Sequence, residues 1–422
     1  MGRLRVHHGV LLLLCLLYFL TYLDRVNVST AAAGFGGQFH LSETEIGLVF
    51  SAFAYPYLLF QIVGGWVSDR CGARWTLIAS AVVWAGATLL TGMAVGLLTL
   101  LLARLLLGFG EGAAFPAATS AMSRWIPAGD RGYAQGITHA AARVGNAAAP
   151  AMIVLVMTTY GWRQSFYASA ALSFLWVVLW AFTFTEHPKD HPGISAQELA
   201  ELPAPQTARP AVPWWALFRR MVPVTIVYFC YGWNLWLFLS WIPQYFLHSY
   251  HLDLKRSAVF ASAVFMAGVV GDTLGGIVTD RVLKRTANLR RARCWMVAAC
   301  LLLSALALIP LMLTHALSVS LACLSGGFFF AEMTIGPMWA IPMDVAPAYS
   351  GTASGMMNTG SALAAITSPV VSGYLIDRYG NWQLPFLVTM ILLGLAVFLA
   401  FRMRPERRFE QLGGVLGVAA GV

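Results

Sequence analysis

Four charged side chains stand inside long apolar stretches of the sequence, where a charge is costly unless it is paired or hydrated. Asp24 and Arg25 are adjacent in the first stretch, and Arg104 and Glu111 share a later one. On a helix, the spacing of Arg104 and Glu111 puts both side chains on one face, about 10 Å apart along the axis, so they can line one cavity without pairing directly. An arginine offers a planar fork of donors that matches a carboxylate and stays protonated. Arg25 and Arg104 are therefore candidates for binding an anion.

Proton exchange is a second chemistry open to the same residues. Burial favours the protonated form of a carboxylic acid, whereas a neighbouring arginine favours the ionised form. An acid whose arginine partner alternates between the acid and a substrate carboxylate would therefore take up and release protons. On this interpretation Asp24 and Glu111 couple protons, while Arg25 and Arg104 hold the anion. The alternative is that the four charges are ion pairs that only fix helix packing.

The composition predicts the elements that position these charges. Of 422 residues, 59% are hydrophobic and 11% are charged, and the mean hydropathy is +0.69. Soluble domains carry roughly 25% charged residues, and apolar runs of about 20 residues recur that can cross a bilayer as helices. We predict an all-α membrane protein whose first apolar run is a spanning helix rather than a removed signal. The twelve predicted transmembrane helices lie near residues 9–33, 45–67, 75–94, 97–118, 133–157, 162–184, 221–247, 257–279, 294–313, 317–340, 351–375 and 384–402.

The positive charges predict the topology. Alternate loops contain twenty of the 27 lysines and arginines, whereas the opposite loops contain four. Since cytoplasmic loops are enriched in lysine and arginine, both termini and the central linker are expected in the cytoplasm, with the chain in the inner (cytoplasmic) membrane. The net charge of +9 is then explained by topology, and no nucleic-acid partner is expected.

The sequence also repeats itself. Gly136 to Pro150 matches Gly355 to Pro369 with the same spacing, and Glu111 matches Glu332. These matches predict two six-helix halves as parallel repeats, with a substrate site near the bilayer midplane between them. The predicted segments are an N-terminal half at 1–185, a cytoplasmic linker at 186–220, a C-terminal half at 221–403 and a cytoplasmic tail at 404–422.

Two loop segments carry a family resemblance. Gly65-Trp-Val-Ser-Asp69-Arg70-Cys-Gly72-Ala-Arg74 resembles the GxxxDRxGxR loop signature of the major facilitator superfamily, and a weaker copy runs from Gly276 to Lys284. In that superfamily the loop forms charge interactions at the cytoplasmic gate. The resemblance therefore implies gate residues, which are Asp69, Arg70, Arg74, Asp280 and Arg281.

The stretches from Arg104 to Pro116 and from Tyr22 to Arg25 resemble the anion:cation symporter family within that superfamily. That family includes bacterial carriers of sugar acids and aromatic acids, and it implies that the matching acids couple protons. The resemblance also implies substrate contacts at neutral side chains, for each of which packing is the alternative. These candidates are Tyr57, Gln61, Tyr228, Trp339 and Asn358.

Three further buried charges depart from simple sugar-acid symporters. Arg143 either contributes substrate specificity or pairs with Glu111 or Glu332. Glu332 mirrors Glu111 and is a second candidate for specificity, and Asp272 lies where it could belong to the gate. These extra charges leave the identity of the anion open.

The expected function is proton-coupled symport of a small organic anion, such as a sugar acid or another carboxylate, by alternating access. The alternative is a proton-antiport exporter of drugs or small metabolites, and a membrane sensor is a third class. No phosphate-binding GxxxxGK[ST] loop or hydrolase motif occurs in the sequence, so an enzyme is not expected. Six scattered cysteines lack metal-binding spacing. We expect no cofactor and no metal, with the anion, protons and lipid as partners of a monomer.

Overall fold

The computed structural model describes residues 5–41, 43–203, 211–252, 254–314 and 316–409, and α-helices dominate these ranges. In chain order, helices α1 to α16 are Val6–Phe39, Glu43–Ala52, Ala54–Cys71, Ala73–Gly92, Leu97–Gly112, Ala114–Trp125, Arg131–Tyr160, Trp162–Thr183, Ala196–Glu201, Trp214–Ser249, Leu254–Thr286, Met296–Leu308, Leu317–Glu332, Ile335–Val345, Ser350–Tyr379 and Leu384–Ala400.

Helices that can cross a membrane make up most of the described chain. Within the described residues, ten helical stretches are long and apolar enough to span a bilayer, and α16 is a shorter apolar helix of 17 residues. Helix α7 has 30 residues and contains Arg143. Backbone amides in lipid must be bonded internally, which explains why such apolar segments are helical. The prediction of an all-helical membrane protein is confirmed at this level.

The predicted helix at 45–67 is divided into α2 and α3 with a break at Phe53, and two more of the predicted helices are divided in the same way. The prediction at 97–118 becomes α5 and α6 with a break at Ala113, and the prediction at 317–340 becomes α13 and α14 with a break at Met333 and Thr334. A proline cannot donate a hydrogen bond to the carbonyl four residues earlier. Pro116 and Pro337 follow these last two breaks by three residues or so, which accounts for both interruptions.

The described helices pack into two compact units. The first contains the described residues of Met1–Pro127, Ala141–Arg209 and Ser350–Gly355, and the second contains those of Ala128–Ala140, Pro210–Tyr349 and Met356–Val422. In the first unit, Phe35 and Phe166 pack against Trp162 in a buried core. In the second, the rings of Phe238 and Phe328 stack with centroids 5.1 Å apart. The predicted boundaries of the halves, linker and tail stay predictions.

The segment that follows α8 is bound to the first unit through two glutamates. Glu198 accepts hydrogen bonds from the backbone amides of Val6 and His7 at the start of α1, at 3.2 and 2.9 Å, and its Oε1 lies 2.7 Å from His7 Nδ1. Burial alone would raise the pKa of Glu198, but the bonds from His7 and Val6 outweigh it and hold the pKa below its ordinary value of 4.5. Glu186 similarly accepts from the amides of Ala73 and Arg74 at the start of α4.

Candidate functional site

A buried ion pair joins α1 to α5 in the first unit. Arg25 Nε donates to Glu111 Oε2 at 2.7 Å, and Glu111 is fully buried. The other carboxylate oxygen of Glu111 and Nη2 of Arg25 have no hydrogen-bond partner within the described ranges. Through these two atoms, both side chains can bind a further polar group. Removing one member of the buried pair would cost about 3–5 kcal/mol of stability because it leaves an uncompensated charge.

Four aromatic rings surround the Arg25 guanidinium. Its Cζ lies 4.7 to 5.3 Å from the ring centroids of Tyr22, Tyr57, Phe53 and Phe115. Such distances fall within the range of cation–π attraction, which partly replaces lost hydration of the buried charge. Because the rings surround the guanidinium, its N–H groups can donate hydrogen bonds only along its edge. Tyr57, predicted to contact substrate, is thus placed beside the predicted anion-binding arginine.

Arg104 lies close to the same aromatic cluster but forms no ion pair with an acid among the described residues. Its Cζ is 5.3 Å from the Phe53 ring centroid, and its Nε donates to the Val49 carbonyl at 3.3 Å. A Cβ on Gly108 would lie 2.2 Å from the Phe53 carbonyl oxygen, so only glycine lets α5 approach this turn. This close approach places Phe53 between the two arginines, and it agrees with the expectation that Arg104 and Glu111 share a site without a direct bond.

Asp24 points to a different helix from Arg25. Ser173 on α8 donates to Asp24 Oδ2 at 3.3 Å, and Oδ1 has no hydrogen-bond partner among the described residues. Asp24 is 2% exposed and forms no ion pair in those ranges, which leaves a buried carboxyl without a fixed cation. Proton uptake removes the cost of such a charge.

A row of serines on α8, next to Asp24, was not among the site residues predicted from the sequence. Ser165 donates to Asn27 Oδ1 at 2.8 Å, and Asn27 Nδ2 donates to Ser169 at 3.1 Å. Ser165, Ser169 and Ser173 recur every four residues, so they lie on one face of α8. That spacing, opposite polar residues of α1, was the available signal.

Arg143 on α7 is buried at 2% exposure, and its Cζ lies 5.6 Å from the Tyr22 ring centroid. Tyr22 also neighbours Arg25, at 4.9 Å. Among the described residues Glu111 pairs with Arg25, and the predicted alternatives for Arg143, substrate specificity or a pair with Glu111 or Glu332, stay predictions. Arg143 thus lies next to the predicted anion-binding group by way of one shared ring.

The second unit contains a neutral aromatic cluster with one acid. Trp339 Nε1 donates to Tyr228 OH at 2.6 Å, and the ring of His139 lies 5.1 Å from that of Trp339. Tyr231 stacks on Tyr228 and its hydroxyl lies 3.0 Å from both oxygens of the buried Glu332. The structure thus brings together Tyr228 and Trp339, as predicted for substrate contacts, and shows a tyrosine partner for Glu332.

The other two predicted binding residues, Asn358 and Gln61, and the candidate gate residue Asp272 are also buried. Asn358 is 5% exposed and lies on α15, and Asp272 on α11 is fully buried. Gln61 is fully buried on α3. Its backbone carbonyl oxygen would lie 2.2 Å from a Cβ added to Gly355. The functional roles of these three residues stay predictions.

The two loop aspartates cap helices at repeat-related positions. Asp69 accepts from the amides of Gly351 and Thr352, at 2.9 and 2.6 Å, and from the Thr352 hydroxyl at 2.7 Å. Asp280 accepts from the amides of Gly132 and Tyr133 at 3.2 and 2.6 Å. The first cap lies within the first unit, and the second lies within the second. A carboxylate at a helix N-terminus satisfies free amides and interacts favourably with the helix dipole.

The predicted gate role of the basic residues at these loops stays a prediction, and their described contacts are as follows. Arg74 donates to the Ala181 carbonyl at 2.6 Å, Arg70 lies 5.6 Å from the Trp66 ring centroid, and Arg281 is exposed. The charge partner of Asp280 is Arg293, at 3.3 Å, which also donates to Asp344 at 3.0 Å.

Arg131 completes this network with a contact to Asp344 at 3.2 Å. Arg131, Arg293 and Asp344 were not among the site residues predicted from the sequence. Nothing in their spacing along the chain indicates that these residues meet.

Comparison with known proteins places this arrangement in a family. Residues 14–369 match the profile of the Major Facilitator Superfamily. A probable sulfoacetate transporter of Cupriavidus necator is 45% identical over 96% of this chain and 95% of its own length. A hexuronate transporter of Bacillus subtilis is 30% identical, with 92% of each chain covered. The structure of a proton:xylose symporter of the superfamily, bound to 6-bromo-6-deoxy-D-glucose, superposes with a TM-score of 0.77 at 16% identity, over 97% of this chain and 98% of that one.

Proposed function

The chain belongs to the major facilitator superfamily of membrane transporters, and we propose that it is a proton-coupled symporter of a small organic anion. The family membership confirms that it is a transporter and not an enzyme. The proposed architecture is twelve transmembrane helices in two six-helix repeats, with both termini on the cytoplasmic side of the inner membrane. Helix α7 and the short α16 join the ten longer apolar stretches in that count.

The observation that carries the proposal is the Arg25–Glu111 pair. Arg25 has one hydrogen bond to Glu111 and an Nη2 without a partner among the described residues, inside a ring of aromatic side chains. An anionic substrate can take the guanidinium edge once Glu111 binds a proton, because protonation removes the charge that competes for Arg25. Substrate binding and proton binding are then linked at one arginine.

Asp24 supplies the second proton site in this mechanism. Its carboxyl is buried without an ion pair in the described part of the chain, and it interacts electrostatically with both Glu111 and Arg104. Protonation of both acids frees the arginines for the substrate, and release of the substrate together with both protons restores the ion pair.

The substrate is proposed to be a carboxylate or a sulfonated carboxylate. Support comes from relatives named for sulfoacetate and for hexuronate transport. Substrate contacts at the hydrogen-bonded pair Tyr228 and Trp339 and at Asn358 are part of this proposal, and so is a gate role for Asp69 and Asp280. Each of these roles rests on the burial and contacts described above.

Uptake by proteoliposomes tests the proposal. A proton gradient directed into the proteoliposomes should drive accumulation of sulfoacetate or glucuronate by the wild type. Arg25→Gln should abolish this accumulation. Arg219→Gln, which removes an exposed arginine at the start of α10, is the matched control and should transport normally. Accumulation without a pH gradient, or full activity in Arg25→Gln, would contradict the mechanism. Thermal stabilisation of the purified protein by lipophilic cations, with no thermal stabilisation by anions, would favour the drug exporter instead.

A further inference from the structure

We propose that Ser173 is a positioning residue for proton coupling, because its hydroxyl holds the Asp24 carboxyl against α8 and stabilises the ionised form of that carboxyl. The contact that carries this inference is the hydrogen bond from Ser173 Oγ to Asp24 Oδ2, at 3.3 Å. The inference rests on the proposed role of Asp24 as a proton site and adds the residue that sets the pH at which the proton is released.

The ionised form of Asp24 depends on a neutral donor. Asp24 is buried and forms no ion pair in the described part of the chain, and a buried carboxylate needs a compensating charge or hydrogen bond. The charged side chains that face it there are Glu111, whose charge has the same sign, and Arg104, both on α5. Within those ranges, the Ser173 hydroxyl is the group that donates directly to this carboxylate.

Hydroxyl groups from two helices surround the Asp24 carboxyl. Ser173 on α8 and Thr88 on α4 are both buried, and Thr88 also interacts with Asp24. Arg25, the next residue on α1, points about 100° away around the helix and meets α5 through its bond to Glu111. The proton site at Asp24 and the proposed anion site at Arg25 thus use different faces of α1, so the Ser173 hydroxyl can act on the first without contacting the second.

A neighbouring pair of hydrogen bonds fixes the position of Ser173. Asn27, three residues after Asp24 on α1, accepts from Ser165 at 2.8 Å and donates to Ser169 at 3.1 Å. Ser169 precedes Ser173 by four residues, so both side chains lie on one face of α8. Asn27 therefore fixes the register of α8 against α1, which keeps the Ser173 hydroxyl opposite Asp24.

Infrared spectroscopy of the purified protein tests this role. The carboxyl C=O band that Asp24→Asn removes would be titrated with pH in each variant. Ser173→Ala removes a donor to the ionised form, so the midpoint of the titration should rise by about one pH unit. Ser173→Thr keeps the hydroxyl and should restore the wild-type midpoint. The matched control is Thr183→Val, which removes a hydroxyl of α8 that donates to the Leu179 carbonyl of its own helix, and it should titrate as wild type.

Transport gives a second readout of the same change. In proteoliposomes, the pH at which sulfoacetate uptake by Ser173→Ala is half-maximal should rise by a similar amount. A purely structural defect would instead lower the rate of uptake at every pH without moving this midpoint.

The outcomes separate this inference from the proposed function. An unchanged infrared midpoint in folded Ser173→Ala would overturn the inference, and so would the absence of a titrating band that depends on Asp24. If Ser173→Ala does not fold, Ser173→Cys takes its place: the thiol is a weaker donor, and the midpoint should again rise. A wild type that takes up no anion in response to a pH gradient would refute the proposed function, and the infrared midpoints would still decide the role of Ser173.

Discussion

Replacing Glu111 by glutamine tests the competition between acid and substrate for Arg25. The side chain is fully buried, and its Oε2 accepts from Arg25 Nε at 2.7 Å. Glutamine keeps an acceptor oxygen and nearly the same volume but removes the charge. A charge-assisted hydrogen bond is worth about 1.5–3 kcal/mol, and about 1.4 kcal/mol corresponds to tenfold in affinity. In the variant the anion does not have to displace a carboxylate from Arg25, so it should bind about 10- to 100-fold more tightly than to the wild type.

The variant should also separate binding from coupling. Glu111→Gln cannot release a proton, so we expect exchange of internal for external anion to persist in proteoliposomes while accumulation driven by a pH gradient is lost. Anion affinity, measured by thermal shift between pH 6 and 8, should lose most of its pH dependence. The protein without ligand should be less stable, because Arg25 is left as a buried charge with a weaker partner.

The control is Glu201→Gln, which removes a carboxylate whose side chain is 41% exposed on α9. It should leave affinity, exchange and accumulation unchanged. The reasoning is refuted if Glu111→Gln accumulates anion to wild-type levels, since Glu111 would then not carry the proton. Weaker anion binding in a folded variant would equally show that the carboxylate does not compete for Arg25.

Three further substitutions have defined outcomes. Asp69→Asn should destabilise the protein in detergent by about 2–3 kcal/mol, measured by denaturant titration, because the charge-assisted cap on Gly351 and Thr352 is weakened. Tyr231→Phe should lower stability by about 1–3 kcal/mol, because buried Glu332 loses a donor; an unchanged denaturation midpoint would contradict this contact. Glu198→Gln should speed proteolysis of the linker at neutral pH. The folded-state pKa of Glu198 is lowered from 4.5, so its ionised carboxylate stabilises the linker above that pH and loses this effect as the pH falls below it. At low pH the linkers of the variant and the wild type should therefore be cleaved at similar rates.

The sequence was sufficient for the class of the protein and for the identity of the charged residues. Apolar runs of membrane-spanning length can only be helices in lipid, and a charge inside such a run is visible without any structure. For that reason Asp24, Arg25, Arg104 and Glu111 were identified as a candidate site, and the loop motif located Asp69 and Asp280. The family resemblance is confirmed by the comparison with known proteins.

The partners of those residues depended on the tertiary structure. Arg25 and Glu111 are separated by 86 positions, and the rotation of two packed helices decides that Glu111 faces Arg25 rather than Arg104. The same holds for Arg293, which meets Asp280 and Asp344 only because three separate segments pack together.

Hydrophobic periodicity could not supply these pairings. It fixes which side of a helix avoids water, but in a membrane both lipid and protein neighbours are apolar, so the pattern does not indicate which face meets which helix. Close packing at positions such as Gly108 settles that choice, since a Cβ there would collide with the Phe53 carbonyl. The sequence thus determined a helical membrane protein with buried arginines and acids, and the packing of the helices determined which charge each arginine holds.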